Sequence, residues 1–261
     1  MGGHGDTSLK VLLADLHIHT CLSPCATLDM TPLKIVKEAQ KKKLDIIAIT
    51  DHNSAENTGA VMAAARGTGL TVIPGMEITT SEEVHIVALF ENVGAALAMQ
   101  AVVYEELQPG ENDEDLFGLQ VVANEFDEVE AMNPRLLIGA TRMDVVQVVD
   151  SIHTLKGLAV AAHIDRDAFS ILGQLGFIPD DLKLDALEIS RRMTLEQGRM
   201  TYGHLKRFPF ITSSDAHDLD DIGVSPTAFR IGGPELAELE HALKGRGGRR
   251  IEYSRIEGLR D

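Results

Sequence analysis

The sequence predicts a single α/β domain built as a parallel barrel or a variant of one. Apolar runs of strand length alternate with helical segments, with mostly short connections and no linker between them. The length of 261 residues suits such a barrel, which commonly takes about 250 residues. Polar residues able to bind metal follow several of the apolar runs, where the active site of such a barrel lies.

Seven apolar runs predict the barrel strands, and most are continuous, as in a parallel sheet buried on both faces. Thr31-Pro32 is a good N-cap and first-turn pair for the helix after the first strand. The predicted strands are 11–14, 44–50, 71–74, 84–90, 158–162, 185–189 and 208–212. The predicted helices are 31–43, 57–66, 95–107, 144–155, 195–206 and 234–244.

The ends of the chain and one internal segment differ from this regular pattern. Residues 1–8 are Gly-rich and polar, which predicts a disordered leader before a single domain at 9–261. Residues 109–135 are acidic and irregular, which leaves open a helical insertion or a lid over a site. The two cysteines share one loop, which argues against a disulfide framework. With no signal peptide or apolar stretch of about 18 residues, we expect a soluble, cytoplasmic protein without membrane contact.

The charge balance limits the expected partners. Lys and Arg number 24 against 40 Asp and Glu, a net charge of −16. This composition argues against a broad nucleic-acid surface, which needs clustered Lys and Arg. It leaves anionic substrates open, because bound divalent cations can reverse the sign of the field inside a cleft. The sequence does not give the oligomeric state.

Histidines and carboxylates close several predicted strands. Asp15, His17 and His19 alternate at the end of the first strand, so they share one face of it. A single pair of this kind is a weak signal, because a lone His is more often a structural residue. His85 lies near the start of its strand and reaches the site only if the preceding turn folds back. The candidate ligands are His17, His19, His52, Glu77, His85, His163, Asp215 and His217.

This donor set predicts a centre with more than one metal. Imidazole and carboxylate suit Zn²⁺, Mn²⁺ or Fe²⁺, and the ligands are more than one ion can take, so we expect two or three ions. Glu77 is the most plausible bridge, holding two ions roughly 3.5–4 Å apart. Such a centre binds a phosphate and lowers the pKa of a bridging water. A hydroxide, and not a protein side chain, would then be the nucleophile.

The ordered motifs resemble the PHP (polymerase and histidinol phosphatase) domain family. They are DLHIHT, ITDHN, GMEIT, a following His, AAHID and SSDAH, and they run from about Val11 to Val224. The resemblance implies a distorted seven-stranded (β/α) barrel whose two- or three-metal centre hydrolyses phosphoesters. It implies one ion on His17, His19, Glu77 and Asp215, a second on Glu77, His85 and His163, and a third on His52 and His217. By the same resemblance, Glu77, Asp215 and His217 take the catalytic roles.

One loop departs from the family pattern. Relatives that hydrolyse nucleotides usually carry an Asp soon after the HxH pair, as a ligand of the third ion. Here the loop is CLSPCATLDMTP, with Pro24 about where the Asp would fall. Cys25 or Asp29 could substitute, and a thiolate would favour Zn²⁺; otherwise the third site is weak or empty. Asp15 is a further candidate ligand, and the cysteines are equally explained as small loop residues.

A phosphate also needs cationic side chains. Arg142 precedes the helix leading to His163, where phosphatase relatives place a phosphate-binding Arg. Arg191 and Arg192 follow the sixth predicted strand on the same barrel face, and Arg166 follows His163. These arginines are candidate phosphate ligands, although surface arginines are common.

The leading hypothesis is therefore a metal-dependent phosphoesterase for a small phosphorylated molecule, such as a nucleotide or a sugar or amino-alcohol phosphate. An exonuclease-type phosphodiesterase and a non-catalytic, metal-stabilised interaction domain are the alternatives. An amidohydrolase-type C–N hydrolase fits less well, since that class usually bridges its metals with a Lys at a strand end. Here the third strand ends in Glu77, and no Lys closes a predicted strand.

Overall fold

A computed structural model describes residues 8–253, and the predicted leader lies outside this range except for Ser8. Nine strands of the described chain form one sheet in the order β11-β10-β1-β2-β3-β4-β7-β8-β9, and β5 and β6 pair separately. The strands are β1 (Lys10–Ile18), β2 (Ile46–Ile49), β3 (Thr71–Thr79), β4 (His85–Leu89), β5 (Val121–Ala123), β6 (Val129–Met132), β7 (Leu158–Ala161), β8 (Ala186–Ile189), β9 (Phe210–Thr212), β10 (Thr227–Ile231) and β11 (Arg250–Ile251).

Eight α-helices lie in the described chain, and most fall between consecutive strands of the sheet. They are α1 (Pro32–Lys41), α2 (Thr58–Ala64), α3 (Val93–Glu106), α4 (Glu114–Phe117), α5 (Val145–Thr154), α6 (Ile171–Leu175), α7 (Leu195–Thr201) and α8 (Leu236–Leu243). Pro32 begins α1 as the sequence predicts, because its fixed φ suits the first turn and its missing N–H needs no partner there. Asp144 begins α5 with a capping box that it forms with Gln147.

The sheet curves into a nearly closed barrel. The segment after β9 reaches β1 through a parallel bridge between Ala216 and Ile18, and the Thr212 amide donates to the Thr227 hydroxyl of β10. All seven predicted strands are present in this barrel. The predicted fold, a distorted α/β barrel with a largely parallel sheet, is therefore confirmed.

The direction of β4 differs from the prediction of parallel strands. It runs antiparallel to both of its neighbours, β3 and β7, with Thr79 paired to His85. A short turn at 80–84 joins β3 to β4, and such a turn can only connect antiparallel strands. The start of β4 therefore lies at the same barrel edge as the ends of β3 and β7. His85, the first residue of β4, therefore stands at that edge.

Apolar packing explains why this edge can hold polar groups. Side chains from all nine strands of the main sheet, among them Ala14, Ala48, Val160 and Ile211, pack together with α8. A second core joins β1, β2 and β3 to α1 and α2, and a third lies against α3 and α5. Burial of this apolar surface is the main stabilising contribution. The polar residues are then concentrated where the strands end.

Residues 109–135 have more structure than the sequence suggested. They contain α4 and the β5–β6 hairpin, and they hydrogen-bond to the loop after β1. The Val121 amide donates to the Cys21 carbonyl at 2.9 Å, and the Asn57 side chain joins Thr20 to Val121 and Ala123. This insertion thus supports the loop that follows the HxH motif. None of the helices within 8–253 combines the length and apolarity needed to cross a bilayer.

Candidate metal centre

Four side chains converge at the barrel edge, and we call them the first cluster. They are His17, His19, Glu77 and Asp215. The Nε2 atom of His17 lies 3.4 Å from Glu77 Oε1 and 3.3 Å from Asp215 Oδ1. The Nε2 atom of His19 lies 3.2 Å from Asp215 Oδ1 and 3.5 Å from Glu77 Oε2. All four residues are buried. Two imidazoles and two carboxylates at this spacing suit a divalent transition metal ion.

Buried acids hold both histidines of the first cluster in the tautomer that binds metal. His17 Nδ1 lies 3.1 Å from both carboxylate oxygens of Glu188, so Nδ1 carries a proton and Nε2 is the nitrogen turned towards the first cluster. His19 Nδ1 lies 2.9 Å from the Ser23 hydroxyl, which donates its own proton to Asp51 at 2.7 Å. His19 Nδ1 must then be the donor to Ser23. The two Nε2 atoms are 3.2 Å apart, where two lone pairs repel unless a proton or cation joins them.

Glu77 is shared between two groups of nitrogens. Its Oε1 atom lies 2.8 Å from His85 Nδ1 and 3.2 Å from His163 Nε2, and we call Glu77, His85 and His163 the second cluster. Its Oε2 atom lies 3.0 Å from His52 Nδ1, and His52, Glu77 and His85 also have the spacing of ligands to one ion. A carboxylate that faces two nitrogen groups can bridge two ions. This geometry agrees with the role expected for Glu77.

A third cluster lies towards the solvent and consists of His19, His52 and His217. The thiol of Cys25 lies beside the side chains of His52 and His217 and interacts with them electrostatically. Desolvation of the sulfur would raise the pKa of the Cys25 thiol, although the residue as a whole is exposed, but these imidazoles lower the pKa to about 6. Cys21 differs, because burial and the charge of Asp51 raise the pKa of its thiol to about 12. The two cysteines of one loop therefore have opposite environments.

The charges of the first two clusters depend on each other. Burial would raise the pKa of Glu77, but His85 and His17 hold it well below its usual range. His17 and His19 have the same effect on the pKa of Asp215. Burial would lower the pKa of His17, but Glu188, Glu77 and Asp215 raise it well above the usual value. The carboxylates are therefore ionised, as metal ligands must be.

Two of the candidate ligands have an unusual backbone conformation. His163 has a φ of +31° and Asp215 a φ of +50°, in the region that residues other than glycine rarely adopt. His163 comes two residues after β7 and Asp215 three residues after β9, so both lie in the loops that leave the barrel strands. Conformations of this kind cluster at functional sites, where the surrounding structure holds them in place.

Unpartnered polar atoms at the barrel edge test whether a metal fits. Within residues 8–253, four buried ligand atoms have no hydrogen-bond partner: Glu77 Oε2, His52 Nδ1, His163 Nδ1 and Asp215 Oδ1. An unsatisfied buried polar atom costs roughly 1–3 kcal/mol. Three of these atoms lie within the distances described above but lack the angles of a hydrogen bond. Coordination to metal ions would satisfy these three atoms, so the residues fit such a group.

The structure places two of the proposed additional ligands away from the clusters. The Asp15 carboxylate accepts hydrogen bonds from the backbone amides of Ser214 and Gly223, at 2.9 and 2.7 Å. Asp15 therefore holds the loop that carries Asp215 and His217, and it is not positioned as a ligand. Asp29 is exposed and pairs with Lys34 at 2.6 Å.

The phosphate-binding candidates also differ in position. Arg142 bonds to the Glu106 carboxylate and the Glu105 carbonyl at the end of α3, and not to the clusters. Arg166 contributes directly, because its Nη2 atom lies 2.6 Å from Asp215 Oδ2. That contact leaves Oδ1 of Asp215 facing His17 and His19.

Arg191 and Arg192 follow β8 and are both exposed. Arg191 pairs with Asp221, in the 3₁₀ turn Leu219–Asp221 just after His217. Both arginines thus lie on the same face of the barrel as the clusters.

Three residues of the site had no predicted role: Glu188, Ser23 and Asp51. Glu188 also accepts a hydrogen bond from the His163 amide at 3.1 Å, so it supports ligands of two clusters. It was detectable, because a lone acid inside the apolar strand β8 needs a buried partner. Ser23 and Asp51 gave no such signal, since polar residues are ordinary in loops and at strand ends.

The family model of the PHP domain matches residues 15–174, more than half of the chain. The chain belongs to the PHP domain family. Membership confirms the resemblance seen in the motifs, and with it the enzyme class of metal-dependent phosphoesterases. A two-domain protein from Bacteroides vulgatus, described as containing a predicted PHP-like metal-dependent phosphoesterase, has a TM-score of 0.55 at 16% identity. That match covers 95% of this chain and 66% of the other.

Two further similar proteins are nucleases by name. The 5'-3' exoribonuclease Rnm of Escherichia coli is 30% identical over 174 residues, which cover 63% of this PHP chain and 49% of Rnm. The lesion-specific endonuclease PfuEndoQ of Pyrococcus furiosus has a TM-score of 0.73 at 19% identity. That match covers 93% of this chain and 58% of the endonuclease. The complex of Endonuclease Q with a 27-mer duplex gives a TM-score of 0.68, also at 19% identity, with the same coverage of 93% and 58%.

These comparisons correct one expectation. We expected a small phosphorylated substrate and no broad nucleic-acid surface on the protein. This expectation is contradicted, because these similar proteins are a ribonuclease and an endonuclease with a DNA complex. The net charge of −16 sums the whole chain and misled the prediction. The field in a cleft depends on nearby groups and on bound cations, so an acidic protein can still bind an anionic polymer there.

Proposed function

We propose that this PHP chain hydrolyses phosphodiester bonds in a nucleic acid, using divalent metal ions held at the barrel edge. The observation that carries the proposal is the convergence of His17, His19 and Asp215 on Glu77, a buried carboxylate shared with His85 and His163. A shared carboxylate between two nitrogen groups is the arrangement that two-metal phosphoryl transfer needs. The match spans only about half of Rnm and of the endonuclease, so their activities support the proposal without deciding it.

The proposed ligands are those of the three clusters, with two or three ions of Mn²⁺, Fe²⁺ or Zn²⁺. Ions bound there would polarise the scissile phosphate and make water a stronger nucleophile. The protein's own residues then supply position and charge. Glu77 and Asp215 hold the ions, and Glu188 and Ser23 keep the His17 and His19 rings aligned. His217 is the most exposed of the ligand side chains, at 28%, and lies nearest to where substrate enters.

Arginines near the centre support a polyanionic substrate. Arg166 lies against Asp215, while Arg191 and Arg192 are exposed beside the loop that carries His217. Guanidinium groups bind phosphate oxygens in a fixed bidentate geometry. A nucleic acid whose scissile phosphate lies at the clusters would place neighbouring phosphates near these side chains. We also propose that residues 9–261 form one barrel domain, with 109–135 inserted to support the loop after β1.

The test is cleavage of labelled single-stranded RNA and DNA and of a duplex, with Mn²⁺, Zn²⁺ or a chelator. We expect metal-dependent cleavage by the wild type and none by Asp215→Asn, which keeps the shape of the side chain and removes its charge. Products that shorten from one end would indicate an exonuclease, and internal products an endonuclease. No cleavage with any metal would contradict the proposal and favour a metal-stabilised interaction domain.

A further inference from the structure

The third cluster has too few ligands for a metal ion once each histidine is assigned to a single metal site. His19 Nδ1 is held by Ser23, so His19 has a single free nitrogen, Nε2. That nitrogen lies 3.2 Å from both His17 Nε2 and Asp215 Oδ1, which places it in the first cluster. The third cluster is then left with His52 and His217. Two imidazoles alone are fewer than the three or four protein ligands of a typical zinc site.

We propose that Cys25 is the missing ligand, and that its thiolate joins His52 and His217 in a zinc-selective third metal site. The Cys25 side chain lies beside both imidazoles and interacts with them electrostatically. His52 is 6% exposed, and its Nδ1 atom faces Glu77 Oε2 at 3.0 Å, which leaves Nε2 for the third site. The inference rests on the proposed function only in assuming that the centre binds metal.

The backbone holds Cys25 in this position from both sides. Ala26 N donates to Ser23 O at 2.9 Å, which makes a turn with Cys25 at its third position. On one side Ser23 accepts from the His52 amide at 3.1 Å, and on the other Thr27 N donates to His217 O at 2.9 Å. The loop is therefore attached to the backbone of both partner histidines.

The insertion further restrains this turn. Gly118 has a φ of +101°, and a Cβ atom there would lie 2.4 Å from the Pro24 carbonyl oxygen. Only glycine allows the insertion to pack this closely against the turn. Since Asp29 is exposed and paired with Lys34, Cys25 is the candidate that the loop presents to the cluster.

A thiolate changes which metal the site prefers. Sulfur is a soft ligand that selects Zn²⁺ over Mn²⁺, whereas carboxylate suits Mn²⁺. Three protein ligands also leave a coordination position open, which is the property of catalytic zinc sites. The third site would therefore take Zn²⁺ and keep room for a substrate oxygen, while the first two clusters accept harder ions.

Cobalt substitution tests the ligand without measuring cleavage. Co²⁺ bound by a thiolate gives an intense near-ultraviolet charge-transfer band, which imidazole and carboxylate ligands do not give. We expect the band in the wild type, its loss in Cys25→Ser and its retention in Cys21→Ser and Asp215→Asn. Absence of the band from the wild type despite bound cobalt would overturn the proposal, as would its survival in Cys25→Ser.

Thiol alkylation gives a second readout in the unsubstituted protein. Cys25 is exposed and Cys21 is buried, so iodoacetamide reacts first at Cys25. We expect Zn²⁺ to slow this reaction at least tenfold, and Mn²⁺ to slow it much less. An equal rate with and without Zn²⁺ would count against ligation. Because neither readout needs turnover, an inactive protein with the cobalt band would refute the proposed function and leave this inference standing.

Discussion

The first and third clusters lie side by side, share His19, and have different chemistry. The first is fully buried and contains two carboxylates, one of which is shared with the second cluster. The third contains imidazoles and a neighbouring thiol, and its His217 side chain is 28% exposed. The difference shows that one barrel edge can offer hard and soft donors within a few residues. Buried carboxylates suit harder ions such as Mn²⁺, and the solvent-facing thiol favours zinc.

The largest expected effect follows from removing the charge of Glu77. Glu77→Gln keeps the size of the side chain but removes the anionic bridge between the first two clusters, so cleavage should fall on the order of a thousand-fold or more. Steady-state cleavage of a labelled oligonucleotide measures this loss. Glu105→Gln, at an exposed position on α3, is the control and should behave as the wild type. Comparable rates in the two variants would contradict the bridging role.

An intermediate effect is expected at Glu188, which acts behind the first cluster. Glu188→Gln weakens the bond that holds His17 in its ligand tautomer, so metal affinity should fall about 10–100-fold. Isothermal titration with Mn²⁺ measures the change. The matched control is Glu238→Gln, which removes an acid paired with Arg249 far along the chain. If Glu188→Gln binds Mn²⁺ as the wild type does, then Glu188 serves the fold alone.

The smallest effect is expected from the exposed arginines beside the third cluster. Arg192→Ala should raise the KM for an oligonucleotide several-fold. The slope of log KM against log salt concentration should fall by about the amount that one phosphate contact contributes. Arg142→Ala is the comparison, because that guanidinium is already paired with Glu106 and lies away from the clusters. The order of the two effects distinguishes the candidates. A larger rise in KM for Arg142→Ala than for Arg192→Ala would indicate a substrate path that passes Arg142 instead.

Much of the barrel could be predicted because burial on both faces leaves a clear pattern. Runs such as LDIIAIT are apolar throughout, and each of the seven predicted strands corresponds to a strand of the barrel, although β1 and β3 extend beyond the predicted 11–14 and 71–74. The direction of β4 could not be predicted in this way. A run of apolar residues has the same composition in either direction, and only the short turn at 80–84 indicates the reversal.

In the site, as in the fold, features with a local sequence pattern could be predicted and long-range contacts could not. Strand-end position pointed to eight ligand candidates that the structure brings together, and their role in metal binding remains a prediction. Strand alternation placed Asp15 on the same face as His17, but its carboxylate is bound to the backbone of another loop. The Asp15 carboxylate instead accepts from the amides of Ser214 and Gly223. Partners about 200 positions away in the chain cannot be inferred from local spacing.

Metal content measured by mass spectrometry on the purified wild type, Glu77→Gln and Cys25→Ser tests the contrast between the clusters most directly. Each protein would be loaded with an equimolar mixture of Mn²⁺ and Zn²⁺ and then desalted. We predict that Cys25→Ser loses about one equivalent of zinc and keeps the remaining ions, whereas Glu77→Gln loses the ions of the first two clusters. A Glu77→Gln variant with the metal content of the wild type would contradict a centre built around that carboxylate.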